Sequence, residues 1–163
     1  MWKQLTQKAR KAIFLAQEEA GRLGYNHVGT EHLLLAIIRE EDCIAATMLE
    51  RLGLDLGTVR SVIMEKLSKG SDMLGEDMQL TAEAKQAIQL AFEEGKQMRE
   101  EWIGTEHLLI GLARESSSVA SKVLAGLGAE TAGLRIQMRN LHATLPFDEI
   151  EGISRNKMSI PTA

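Results

Sequence analysis

The sequence predicts an all-α protein in which two four-helix repeats, related by a pseudo-twofold axis, pack as one compact domain. The first observation is a repeated motif: Gly-Thr-Glu-His-Leu-Leu stands at residues 29–34 and again at residues 104–109. The second is the length of the repeat, because residues 5–54 align without a gap to residues 80–129 with 21 identities in 50. The third is composition, since 4% aromatic residues and two prolines in 163 residues favour helices over strands. A repeat of this length defines the architecture before any single element is assigned.

The first helix is predicted to start near Thr6, whose hydroxyl can accept a hydrogen bond from a free backbone N–H group. Gly24 is a candidate left-handed stop for this helix. Its apolar residues recur at helical spacing: Leu5, Ala9, Ala12, Ile13, Ala16, Ala20 and Leu23.

The second helix is predicted to begin with Thr30 as its N-cap. Glu31 then lies in the first turn, where the helix dipole favours a carboxylate. The run from Leu33 to Ile38 is apolar on every side, which predicts that this helix is buried at the centre of the repeat.

Two shorter helices complete the first repeat, which spans about residues 5–69. The third begins near Ile44 and is ended by Gly53, and Asp55 is a candidate cap for the fourth. Residues 70–79 lack periodicity and are predicted to be a linker. The second repeat, about residues 80–142, restates the first, so the predicted repeat domain is 1–142. Residues 143–163 are predicted to be a flexible tail or linker.

Charge and cysteine usage argue against several classes of function. The net charge is −4 with no basic block, so nucleic-acid binding is not expected. Cys43 is the one cysteine and cannot form an intramolecular disulfide, so we expect a cytoplasmic protein or one in the equivalent organelle stroma. No apolar run approaches the ~18 residues of a membrane span, and no membrane partner is expected.

Two copies of Gly-Thr-Glu-His-Leu-Leu, each followed by Arg-Glu and later by Leu-Gly, resemble the double Clp-N motif. This motif is the N-terminal domain of the Clp ATP-dependent unfoldases. Residues 5–9 and 15–20 are similar to the ClpC type in particular, and the resemblance covers about residues 2–142. In both copies the residues after Arg-Glu differ from the Gly-Glu-Gly usual in ClpC-type repeats.

The resemblance implies a non-catalytic module that docks adaptor proteins and protein substrates. In the family, this module precedes ATPase rings that thread protein into the ClpP peptidase. The chain has no Gly-x-x-x-x-Gly-Lys-Ser/Thr loop, so ATP hydrolysis by that route is not expected, and no cofactor is predicted. An alternative function is a stand-alone regulator that sequesters adaptors or competes with a full-length unfoldase. A third is an unrelated helical enzyme with a Glu/His site.

The resemblance also implies a ligand site, because the matching glutamates of ClpC-type domains bind phosphorylated arginine, a degradation mark. Here these residues are Glu31 and Glu106, and the helix starts at Thr30 and Thr105 would supply donors for the phosphate. A carboxylate can accept guanidinium N–H groups in a fork geometry. We therefore predict two quasi-equivalent sites. The alternative is that each glutamate only complements the dipole of its own helix.

Other residues have structural and functional interpretations. His32 and His107 each follow a glutamate, but neighbouring residues on a helix point about 100° apart and make poor co-ligands. No metal site is therefore predicted. Each histidine is expected to be buried and to bond a loop carbonyl or a neighbouring helix. The pairs at residues 93–94 and 100–101 predict a solvated acidic face. A partner-binding surface is predicted at Trp2, Met73 and Met78, although Trp2 could instead pack as a staple on the first helix.

Overall fold

The computed structural model describes residues 2–67 and 79–144, and helices dominate both ranges. A short 3₁₀ turn at Trp2–Gln4 precedes the first helix. In chain order the elements are α1 (Gln7–Arg22), β1 (His27–Val28), α2 (Thr30–Arg39), α3 (Ile44–Arg51), α4 (Leu56–Lys66), β2 (Gln79–Leu80), α5 (Ala82–Gln97), α6 (Thr105–Arg114), α7 (Val119–Gly126) and α8 (Thr131–Thr144). The predicted all-α class with four helices in each repeat is confirmed.

Most of the predicted helix boundaries are correct because they depend on local chemistry. The Thr6 hydroxyl accepts the N–H of Ala9 at 3.1 Å and caps α1. Asp55 accepts the N–H of Thr58 at 3.1 Å and caps α4. Gly24 and Gly53 have φ angles of 82° and 85°, so each ends its segment in the left-handed conformation that glycine adopts at low cost.

Helices α2 and α6 form the centre of the core. From position 32 to position 38, every side chain of α2 is buried, as the apolar run predicts. Helix α6 lies so close to α5 that a Cβ atom on Gly111 would stand 2.2 Å from the carbonyl oxygen of Ala87. The glycine therefore permits an approach that any larger residue would prevent.

The two repeats exchange hydrogen bonds across their interface. The Thr30 hydroxyl accepts the N–H of Ala120 in α7 at 3.3 Å, and the Thr105 hydroxyl accepts the N–H of Ala45 in α3 at 3.1 Å. Thr30 is equivalent to Thr105 and Ala45 to Ala120, since the members of each pair are 75 positions apart. Exchanging the two repeats therefore converts one hydrogen bond into the other. This reciprocity is the signature of a twofold relation.

The prediction that Thr30 caps α2 was wrong. The N-cap is Gly29, and Thr30 is the first helical residue. Its hydroxyl is used to cap a helix of the other repeat, 90 residues away in sequence. Local sequence rules cannot reveal such a partner.

A short parallel pairing was not predicted. His27–Val28 pairs with Gln79–Leu80, and a single bridge joins Leu5 to Ile103. Gln79 thus belongs to a strand and not to the predicted linker. The remainder of that linker, with Met73 and Met78, lies outside the described residues, as does the tail from residue 145 onward. Helix α8 continues to Thr144, two residues beyond the predicted repeat boundary.

Each repeat also contains a buried glutamate surrounded by arginines. In the second repeat, Glu94 accepts hydrogen bonds from Arg114 at 3.2 Å and from Arg135 at 3.1 Å. Glu19 occupies the equivalent place in the first repeat, with Arg39 and Arg60 each 3.6 Å away. The predicted solvated acidic face is therefore wrong at Glu94, which joins three helices inside the second repeat.

Candidate functional site

A polar pocket of about 260 Å³ lies beside the start of α2, where the two repeats meet. The helix starts of α2, α5 and α7 converge on it, so the positive ends of three helix dipoles face one space. The carboxylates of Glu31 and Glu83 also line it. The lining residues are His27, Thr30, Glu31, Thr81, Glu83, Ser117, Ser118 and Val119.

Glu31 is the central carboxylate of this pocket. Its side chain is 15% exposed and folds back over the start of its own helix. A Cβ atom on Gly29 would lie 1.7 Å from its Oε1 atom, so the glycine makes room for the carboxylate. Burial raises the pKa of Glu31 above its ordinary value, and Glu83 raises it further, while the hydrogen bond from its own backbone N–H and the nearby His27 act in the opposite direction.

Three of the hydroxyl groups around the pocket cap helices. Thr81 accepts the N–H of Ala84 at 3.1 Å, and Ser118 accepts the N–H of Ser121 at 3.1 Å. Thr30 accepts from α7, as described above. The pocket is thus built from pre-organised helix starts that favour a negative group, beside carboxylates that favour a positive one.

The environment of Glu106 is different, although the repeat places it at the position equivalent to Glu31. Glu106 is fully buried, and its Oε2 atom lies 2.5 Å from Nε2 of His142. The other ring nitrogen of His142 lies 3.1 Å from Glu100. Burial lowers the pKa of His142, but the hydrogen bond and charge of Glu106, with those of Glu100, outweigh it and hold the pKa above its ordinary value. The sequence analysis assigned Glu100 to a solvated acidic face and did not single out His142, because the three residues lie on separate segments.

The buried histidines have a structural role that the sequence only partly revealed. Nδ1 of His32 accepts the N–H of Gly29 at 2.9 Å, and Nδ1 of His107 accepts the N–H of Gly104 at 3.0 Å. The predicted burial is correct, but the partner is a backbone donor and not a carbonyl. Burial lowers the pKa of His32 to about 4 and that of His107 to about 3, so both rings are neutral near pH 7.

Within residues 2–67 and 79–144, no group of three or more His, Cys, Asp or Glu residues is arranged to hold a metal ion. None of the helices described there has the length and apolar character needed to cross a lipid bilayer. Cys43 is buried, and its sulfur accepts the N–H of Ala46 at 3.4 Å as the cap of α3. Trp2 is 53% exposed in the 3₁₀ turn.

The fold is a helical domain made of two repeats that cap each other's helices. The family model described as the Clp repeat N-terminal domain matches residues 4–146. The chain belongs to this family, as the resemblance implied.

Curated relatives include the chloroplastic chaperone protein ClpC1 of Arabidopsis thaliana, which is 43% identical over 138 residues. A chloroplastic ClpA homolog of Brassica napus has the same identity over the same length. The match takes in 85% of this chain, but only 15% and 16% of these two relatives.

Solved structures agree on the fold. The N-terminal domain of ClpD from Arabidopsis thaliana has a TM-score of 0.66 at 26% identity, over 84% of this chain and 96% of that one. The Hsp104 N-terminal domain from Candida albicans has a TM-score of 0.74 at 18% identity, over 90% and 98%. A complex of the ClpV N-domain with a VipB peptide has a TM-score of 0.69 at 14% identity, over 81% and 82%.

Proposed function

We propose that this chain is a protein-interaction module that recruits adaptor proteins or marked substrates to a Clp ATP-dependent unfoldase working with a ClpP peptidase. Membership of the Clp repeat N-terminal domain family supports this function. So does the similarity to ClpC1, which is named a chaperone. A ClpV N-domain of the same fold is described in complex with a peptide. The module itself carries out no catalysis in this proposal, and it acts in the cytoplasm or an organelle stroma.

The pocket at Glu31 is the observation that carries the proposal. Phosphoarginine has a phosphate and a guanidinium group next to each other, so a site for it must offer helix starts and carboxylates together. The pocket has both, because three helix starts converge beside Glu31 and Glu83. Glu31 is partly exposed, so its carboxylate can be reached from the pocket.

The other predicted site residues have separate places in the proposal. Thr30 lies at the first residue of α2, where its backbone helps to form the positive helix end. Glu106 and Thr105 are the predicted second site, and both are buried in this structure. Trp2, half-exposed at the start of the chain, is proposed to contact a protein partner together with Met73 and Met78.

Isothermal titration with free phosphoarginine tests the proposal. Wild-type protein should bind, and Glu31→Gln should weaken binding by roughly tenfold or more, because one charge-assisted partner costs about 1.5–3 kcal/mol when it is removed. Glu65→Gln is the matched control, since Glu65 is an exposed carboxylate on α4 away from the pocket. Equal binding by wild type and Glu31→Gln would leave Glu31 as a complement of its helix dipole and nothing more.

A further inference from the structure

The fourth helices of the two repeats end at different positions. Helix α4 stops at Lys66, whereas α8 runs to Thr144, which corresponds to position 69 in the first repeat. The added turn carries His142, and the equivalent residue in the first repeat is Leu67. An imidazole on the fourth helix therefore reaches the second glutamate, whereas the histidine near the first glutamate, His27, lies on β1.

Two carboxyl contacts favour the charged form of this imidazole. Nδ1 of His142 faces an oxygen of Glu100, and Nε2 faces an oxygen of Glu106. When both carboxyl groups are ionised their oxygens only accept hydrogen bonds, so both ring nitrogens carry a hydrogen, and only the imidazolium has two. Two carboxylates on different segments thus hold one cation between them.

The two repeats also carry different residues at the positions that line the pocket beside Glu31 in one case and correspond to them around Glu106 in the other. Glu83 and Ser117, at the first pocket, correspond to Lys8 and Asp42. These two residues form an ion pair of 2.8 Å. The positions related to Glu83 and Ser117 by the repeat therefore hold a salt bridge, whereas the pocket beside Glu31 has a carboxylate and a hydroxyl there.

We propose that the last turn of α8 is a latch that closes the second ligand site, with His142 holding the carboxylate of Glu106 away from solvent. In this state the chain binds a single guanidinium-bearing ligand, at Glu31. Release of the latch exposes Glu106 and adds a second site. The number of ligands rests on the proposed function, but closure of the Glu106 carboxylate does not.

Carboxylate labelling tests the closure without any ligand. Wild-type protein is treated briefly with a water-soluble carbodiimide and glycine ethyl ester at about pH 6, and the modified residues are read by peptide mass spectrometry. Glu106 should react at least tenfold more slowly than the exposed Glu65. His142→Ala should raise the labelling rate of Glu106 by a factor on the order of ten, because a charge-assisted hydrogen bond holds the closed state.

Two further variants control this experiment. Asn140→Ala changes an exposed residue of the same turn and should label like wild type. Glu100→Gln weakens the other contact of His142 and should raise Glu106 labelling by a smaller factor, which keeps the test valid if His142→Ala loses its helical circular dichroism. Rapid labelling of Glu106 in wild type, or unchanged labelling in both folded variants, would overturn the latch.

Titration with phosphoarginine then counts the sites. Wild type should bind one ligand, His142→Ala two, and His142→Ala with Glu106→Gln one again. Two ligands on wild type would overturn the latch. No binding to any variant, with the labelling pattern intact, would reject the proposed ligand and leave the closure of Glu106 established.

Discussion

Replacing Thr105 by valine removes one of the two equivalent hydrogen bonds that threonine hydroxyls form between the repeats. Valine has nearly the same shape, so the change deletes the hydroxyl and leaves the packing. The N–H of Ala45 then loses its acceptor at a place where both residues are fully buried. A buried donor without a partner costs about 1–3 kcal/mol, and we expect Thr105→Val to lower the free energy of unfolding by that amount.

Thr30→Val provides an internal comparison, because it removes the repeat-related bond to Ala120. That bond is 3.3 Å long against 3.1 Å for the bond to Thr105, so its loss should cost the same or less. Ser116→Ala is the control, since Ser116 is exposed and its replacement should stay within about 0.5 kcal/mol of wild type.

Urea denaturation followed by circular dichroism measures all three variants under one set of conditions. The midpoint should fall while the slope stays constant, since the surface exposed on unfolding is unchanged. A loss below about 0.5 kcal/mol for Thr105→Val, equal to that of Ser116→Ala, would refute the argument that these hydroxyls cap the helices of the opposite repeat.

Three other outcomes follow from packing and charge. Leu34→Ala, in the buried centre of α2, should cost about 2–5 kcal/mol in the same denaturation assay. Gly111→Ala should destabilise the protein by about 1–3 kcal/mol, because the added Cβ would meet the backbone of α5. Gly126→Ala should stabilise it by about 0.4–1 kcal/mol, because nothing lies within 4 Å of the added atom. Equal effects of the two substitutions would contradict the close approach of α5 and α6. Glu100 and Glu106 hold His142 in its charged form, near the neutral His107, and raise its pKa in the folded protein. Wild type should therefore be more stable than His142→Gln, with the full difference in the free energy of unfolding below pH 6.5. This difference should disappear as the pH rises through the raised pKa of folded His142. A difference that grows with pH would show that the ring is neutral in the fold.

The parts of the fold that sequence reasoning recovered depend on near neighbours in the chain. Thr6 and Asp55 cap residues three positions away, and Gly24 and Gly53 adopt the left-handed conformation regardless of distant contacts. The buried run of α2 is equally local, because an apolar stretch on all sides has no other stable environment. These features needed no knowledge of the tertiary arrangement.

Most of the features that were missed depend on contacts between distant segments. The Thr30 hydroxyl bonds a residue 90 positions away, and Glu106 meets His142 36 positions away. One of them did leave a signal in the sequence. Glu94, Arg114 and Arg135 each repeat the residue type found 75 positions earlier, and a charged set retained in both copies is more consistent with a buried cluster than with a solvated face.

The exchanged hydrogen bonds have a consequence for how such a chain could arise. Each repeat supplies the hydroxyl that the third helix of the other requires, so a chain with one repeat has a donor and an acceptor that cannot meet within itself. Two copies of that shorter chain would satisfy both by forming a symmetric homodimer. Gene duplication and fusion would then convert a concentration-dependent association into an intramolecular one, after which the two halves were free to diverge, as the extra turn of α8 shows.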